Sequence, residues 1–281
     1  KSLGIEFKTI ELLPEGGFDL DSLAGSLSAK TKIIYIQKSR GYSLRPPIST
    51  EQIAALAAWL KTKVFCPAIV VDNCYGEFVE IREPGEAGAD LTIGSLIKNP
   101  GGGLAETGGY LVGRRDLVAN AADRLLAPGL AGEIGSTGNY LRAMYQGLFL
   151  APHFVGQAVY NARFAAAMAE YLGLRTLPRW DQERCDLVQA IELGSAEKME
   201  KFCRAIQAAS PIDSFVAPVP AEMPGYQVPV IMAAGTFIQG ASLELSADGP
   251  VEPPYIVYYQ GGLSAQHGML AIAAALAAIS S

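Results

Sequence analysis

The chain has 281 residues, half of them apolar, and a formal net charge of −6. That fits a well-packed enzyme of one large and one smaller domain, with no apolar run long enough to span a bilayer and no basic face for nucleic acid. Four cysteines without metal spacing or a small-domain disulfide framework predict reduced thiols in the cytoplasm, and two histidines give little support to a zinc cluster or a Ser-His-Asp hydrolase.

The elements alternate as in an α/β protein. The chain opens at Lys1 without an initiator Met or a signal-peptide pattern, and its first residues read as a mid-domain crossover. Thr31 to Gln37 reads as a strand, and Ser49-Thr-Glu-Gln52 has capping-box spacing that opens a helix to about Lys61. Ala68 to Asp72, Asp90 to Ile93 and Gly109 to Gly113 read as three buried strands. An amphipathic helix follows from Arg115 to Leu125, then an Ala127-Pro-Gly turn. Two helices are predicted next, Gly138 to Leu150 and Pro152 to Leu172, with His153 packed and hydrogen-bonded. After Leu174 the pattern becomes strand (Cys185 to Glu192), helix (Ser195 to Ala208), and two strands (Val230 to Phe237, Gly240 to Leu245). A last helix runs from Ser264. The predicted division is 1–172, part of a large domain with its connecting helix, and 173–281, a smaller C-terminal α+β domain.

Chemistry concentrates where predicted strands end. Asp72 closes one buried strand, and Lys98 lies on the turn after the next, in Gly94-Ser95-Leu-Ile-Lys98-Asn-Pro-Gly101-Gly-Gly103. Alone, such an Asp reads as a helix cap and such a Lys as solvated surface. Together, at the ends of neighbouring strands, they are what a pyridoxal phosphate enzyme of the aspartate aminotransferase fold requires. Lys98 would hold the cofactor as a Schiff base and later move protons, and Asp72 would pair with the protonated ring nitrogen. Ser95 is spaced to donate to the cofactor phosphate, and the glycines remove bulk and expose backbone N–H groups. Asn73 has two readings, orienting the Asp72 carboxylate or capping a turn. Tyr75 and Tyr42 fall on loops at strand ends, where they would contact the cofactor or simply pack.

Longer runs carry a resemblance. They include Ile36 to Ser43, Asp72 to Phe78, Gly94 to Gly103, Arg124 to Gly129, Gln146 to His153, Gly235 to Pro250 and Pro254 to Gly262. Nearly the whole chain resembles the methionine γ-lyase-like proteins often called aluminium-resistance proteins. The resemblance implies a fold-type I pyridoxal phosphate enzyme related to the cystathionine lyases. It also implies a site shared in a homodimer or homotetramer, which Arg124 would reach from a neighbouring protomer. In that fold a hundred or more residues would precede this point, so the chain is expected to be an amino-terminal truncation.

Two departures from the trans-sulfuration enzymes stand out. Ile97 precedes Lys98 where those enzymes usually have Thr, and the stretch around Pro254-Tyr255-Ile-Val lacks their carboxylate-binding arginine. Arg40 is the first candidate to replace it and Arg184 the second, because a guanidinium fork matches a carboxylate. The expected activity is a carbon–sulfur lyase on a sulfur-containing amino acid, of cystathionine β-lyase or methionine γ-lyase type. The alternatives are a transferase or aminotransferase using the same lysine, and a catalytically inactive scaffold.

Overall fold

The computed structural model describes residues 4–125, 129–133 and 138–280; Lys1 and, in the predicted Ala127-Pro-Gly turn, Ala127 and Pro128 lie outside them. After a short helix α1 (Leu20–Ala24), four strands build a mixed sheet in the order β1 (Ile33–Gln37), β2 (Ala68–Asp72), β3 (Leu91–Ser95) and β4 (Gly109–Gly113). The first three run parallel, so Gln37, Asp72 and Ser95 all end at one edge of the sheet; β4 returns antiparallel to β3. Helix α2 (Thr50–Leu60) crosses from β1 to β2. Its predicted capping box is present: Ser49 Oγ accepts from Gln52 N at 3.1 Å, and Gln52 Oε1 accepts from Ser49 N at 2.9 Å. Ile53, Leu56 and Leu60 pack there against Ile36, Ile69 and Val71.

Helix α3 (Arg115–Leu125) lies on the surface, and α4 (Leu141–Tyr171) leads to a second, antiparallel sheet. Its order is β5 (Thr176–Leu177), β6 (Gln189–Glu192), β9 (Ile256–Gln260), β8 (Ser246–Pro250) and β7 (Val230–Ala233). Helices α5 (Ala196–Ala209) and α6 (Ala265–Ser280) cover one face, where Phe202, Ile206, Ile272 and Leu276 meet Ile231, Ala247, Val257 and Tyr259. Alternation along the strands turns Asp248, Tyr258 and Gln260 to the opposite face, toward the first sheet.

Four expectations are corrected. The two helices around Pro152 are one helix of 31 residues. Pro152 sits on its exposed side, where water can satisfy the carbonyl freed by the missing N–H. Gly240 to Leu245 is not a strand. Glu244 instead turns its carboxylate back to Phe237 N and Ile238 N, at 2.7 and 3.1 Å, and pairing begins only at Ser246. The strands predicted over Cys185 to Glu192 and Val230 to Phe237 pair only over Gln189–Glu192 and Val230–Ala233. Finally, β4 is largely exposed rather than buried, because it has a strand on one side only. Strand β9, unread in the sequence, is buried along its whole length between β6 and β8.

The glycines after Lys98 have a packing role. Helix α4 lies directly on the Asn99–Gly101 turn, and a methyl group at Gly147 would overlap the Gly101 carbonyl. Gly102, at φ 54°, occupies the left-handed region, and a methyl group there would overlap the Gly147 carbonyl oxygen.

Candidate active site

The parallel edge gathers the predicted residues. Asp72 is half-buried, and its carboxylate is fixed from two sides: Cys74 N donates to Oδ1 and the Tyr35 hydroxyl to Oδ2, each at 3.0 Å. Burial and then the Asp72 charge push Tyr35 up to about 12, so it remains a donor. The chain then turns sharply at Tyr75, whose φ of 73° is a costly left-handed conformation for a non-glycine residue. The turn aims the Tyr75 ring at the lysine, and Lys98 Nζ lies 3.9 Å from the ring centroid. Burial pulls the half-buried Lys98 amine down, but Tyr75, Cys74 and Asp72 together outweigh it and leave the amine above its ordinary value. The lysine and the aspartate therefore feel each other across adjoining strand ends. Burial likewise pushes the Cys74 thiol up to about 11, against the pull of Lys98.

Ser95 ends β3, and its Oγ accepts from Ile97 N at 3.3 Å, which leaves its own proton free to donate. Asn73 is fully buried, and its amide donates to Glu83 Oε2 at 2.8 Å. That bond ties the turn after Asp72 to the Glu83 loop.

The second sheet supplies the opposing wall. Tyr42, Tyr75 and Leu177 pack on Val188, Ala190, Ile256 and Tyr258, and the Tyr42 ring lies 5.1 Å from Tyr258 and 5.4 Å from Tyr226. Asp248 is buried in this wall and bonds to the Tyr42 hydroxyl. Burial raises its carboxyl to about 6, while Tyr42 and the Lys98 charge pull the other way. Asp248 Oδ1, Ser246 Oγ and Gln260 Oε1 are buried with no partner among the described residues.

Both predicted arginines are buried. Arg40 Nη1 donates to the Leu177 carbonyl at 3.1 Å, its Nε has no partner among the described residues, and burial lowers it from its ordinary value against the charge of Asp186. Arg184 Nη2 donates to Gln189 and to the Ala162 carbonyl, with Nε and Nη1 lacking a partner among the described residues; burial lowers it to about 10. Arg184 thus faces α4 and β6, whereas Arg40 reaches the tyrosine wall. Arg124 is exposed at the end of α3, and His153 is exposed, edge-on to Phe154, rather than packed.

Sequence reading did not single out Tyr35, Glu77, Tyr110 or Asp248. Glu77 falls inside the run from Asp72 to Phe78, but nothing there distinguishes it from a solvated turn residue. Its burial is set by contact with β3 and β4, which a linear pattern does not carry.

The donor set suits pyridoxal phosphate. It offers a half-buried amine against an aromatic face, a fixed carboxylate one strand away, a serine hydroxyl with a free proton, and buried oxygens lacking donors on the facing wall. Comparison with known proteins agrees with a lyase scaffold. The methionine gamma-lyase family matches residues 1–280. A Bacillus subtilis relative, YnbB, is 50% identical over 98% of this chain and 66% of its own. A Listeria innocua structure, proposed in its name to be a cystathionine beta-lyase involved in aluminum resistance, is 51% identical with a TM-score of 0.93, covering 95% of this chain and 66% of that one. A Clostridium novyi structure described as a carbon-sulfur lyase involved in aluminum resistance is 42% identical with a TM-score of 0.93, covering 99% and 65%. The chain thus spans about two thirds of the length of these proteins.

Proposed function

Because the chain belongs to the methionine γ-lyase family, we propose that the protein is a pyridoxal phosphate-dependent carbon–sulfur lyase that expels a thiol from a sulfur-containing amino acid. The observation that carries this reading is the placement of the Lys98 amine and the Asp72 carboxylate on adjoining strand ends, within reach of each other's charge. Bound there, pyridoxal phosphate would supply an electron sink for the charge left at the substrate α-carbon.

The residues of the chain then divide the work. Lys98 would hold the cofactor covalently, and its Nζ, once free, would be the base that removes the α-proton. Elimination from the γ-carbon needs a second proton taken from the β-carbon, and the same Nζ is the base assigned to it. Asp72, fixed by Cys74 N and the Tyr35 hydroxyl, would hold the ring nitrogen protonated. Ser95 would donate to the phosphate, while Tyr75 provides an aromatic face beside the amine and Asn73 anchors the turn after Asp72. Arg40 Nε, buried and without a partner among the described residues, is the first choice for the substrate carboxylate, and Arg184 the second.

The test is incubation with pyridoxal phosphate, borohydride reduction and peptide mapping. The expected result is a visible absorbance band and a reduced label on Lys98, both abolished in Lys98→Ala. A label of equal yield on other lysines in that variant would defeat the reading.

A further inference from the structure

Beneath the Lys98 turn lies an acid that the reaction just described does not use. Glu77 is 4% exposed. Its backbone carbonyl accepts from the side chain of Asn99, the residue after Lys98, at 3.0 Å. Its Oε1 accepts from the Tyr110 hydroxyl at 2.8 Å, while Oε2 has no partner among the described residues. The Tyr110 hydroxyl lies beside the side chain of Asn73, the residue after Asp72. The carboxyl is pressed against β3 where the strand has no side chain, since a methyl group at Gly94 would come within 2.6 Å of both Oε1 and the Tyr110 hydroxyl oxygen. A line of contacts, Asn73–Tyr110–Glu77–Asn99, therefore runs from the residue beside the aspartate, through the Glu77 side chain and its backbone carbonyl, to the residue beside the lysine.

We propose that Glu77 is a positioning residue for Lys98: it fixes the turn that carries the lysine and exchanges a proton in answer to the charge on the amine. This deepens the functional reading above, on which the role of Lys98 rests. The physical ground is that an unpartnered buried carboxylate oxygen is costly when charged and cheap when protonated. The groups facing Glu77 are Tyr110 from β4, Lys98 and Asn99 from the turn, and Glu83 from its own loop. Burial raises its carboxyl to about 8; the hydrogen bonds from its own backbone N–H and from Tyr110 and, after them, the Lys98 charge pull the other way. When Lys98 loses its positive charge, Glu77 holds its proton more tightly; when the ammonium returns, Glu77 releases it more readily.

Two measurements on the full chain test this, and neither needs the cofactor. In the first, acetic anhydride labelling of Lys98, read by mass spectrometry across pH, gives the titration midpoint of the amine. Glu77→Gln keeps an acceptor for Tyr110 and removes the charge, so the midpoint is expected to move down by roughly 0.5–1 pH unit. An unmoved midpoint in a variant with wild-type circular dichroism would overturn the proposal. The second measurement covers the case in which that variant does not fold. The infrared carbonyl stretch of the protonated Glu77 carboxyl is followed against pH in wild type and in Lys98→Met. Loss of the lysine is expected to keep the band to higher pH, and an identical midpoint would defeat the coupling. A chain that takes up no pyridoxal phosphate would defeat the lyase reading instead, and both titrations would still decide the role of Glu77.

Discussion

At the scale of single residues the site is governed by buried charge. Asp248 binds its proton more tightly in the folded wall than in the unfolded chain, about 6 against 3.8. Below pH ~4 both states are protonated; between pH ~4 and ~6 the unfolded chain releases the proton first, so stability falls as pH rises. A shift of this size corresponds to a change on the order of 2–3 kcal/mol. Asp248→Asn cannot ionise, so the stability of wild type relative to the variant should fall by about that amount between pH 4 and 7 in urea melts. A difference that stays flat with pH would show that Asp248 keeps its charge paired by a group other than Lys98. Asp72 and Lys98 were legible because residue type and spacing alone suggest their chemistry. Tyr35, Glu77 and Tyr110 were not, because each acquires its meaning from a neighbour on another strand.

At the scale of elements, backbone proximity sets the limits. The Gly101-Gly-Gly run is legible as a turn, and its glycines were read as space for a cofactor. In the folded chain Gly102, together with Gly147 of the helix, is what lets α4 rest on the lysine turn. Gly147→Ala inserts a methyl group into the Gly101 carbonyl, with backbone on both sides and no flexible side chain to yield. Overpacking of this kind costs about 1–3 kcal/mol or more, and the displaced turn should lower pyridoxal phosphate labelling of Lys98 as well. Wild-type stability and labelling in Gly147→Ala would mean that α4 is free to move off the turn. Helix α2 was read to within a residue at each end, because its capping box is a local signal. The helix through Pro152 was read as two, because a proline normally ends a helix unless the freed carbonyl meets water.

At the scale of the whole molecule, the two sheets are tied together by a few buried polar bonds. Lys38, 1% exposed, leaves the end of β1 to meet Glu80 Oε2 at 2.6 Å and the Cys185 carbonyl at 2.8 Å. Ser39 Oγ donates to Asp186 Oδ2 at 2.8 Å, and Leu187 N donates to the Tyr75 carbonyl at 3.1 Å. These bonds hold the tyrosine wall against the lysine turn. Lys38→Met keeps the bulk but, among the described residues, leaves Glu80 with only its Thr50 partners. The expected cost is about 3 kcal/mol, with the second sheet losing hydrogen-exchange protection at lower urea than the first. A loss below about 1 kcal/mol with simultaneous exchange would show that apolar packing alone joins them. By itself the sequence determined the α/β alternation, the family, and the pairing of an aspartate with a lysine at successive strand ends, because these rest on local patterns and on residue chemistry. Only the tertiary structure decided which carboxyls are buried, that the glycines serve a helix, and that β9 runs through the middle of the second sheet. Those properties depend on contacts between segments far apart in the chain, to which no local periodicity corresponds.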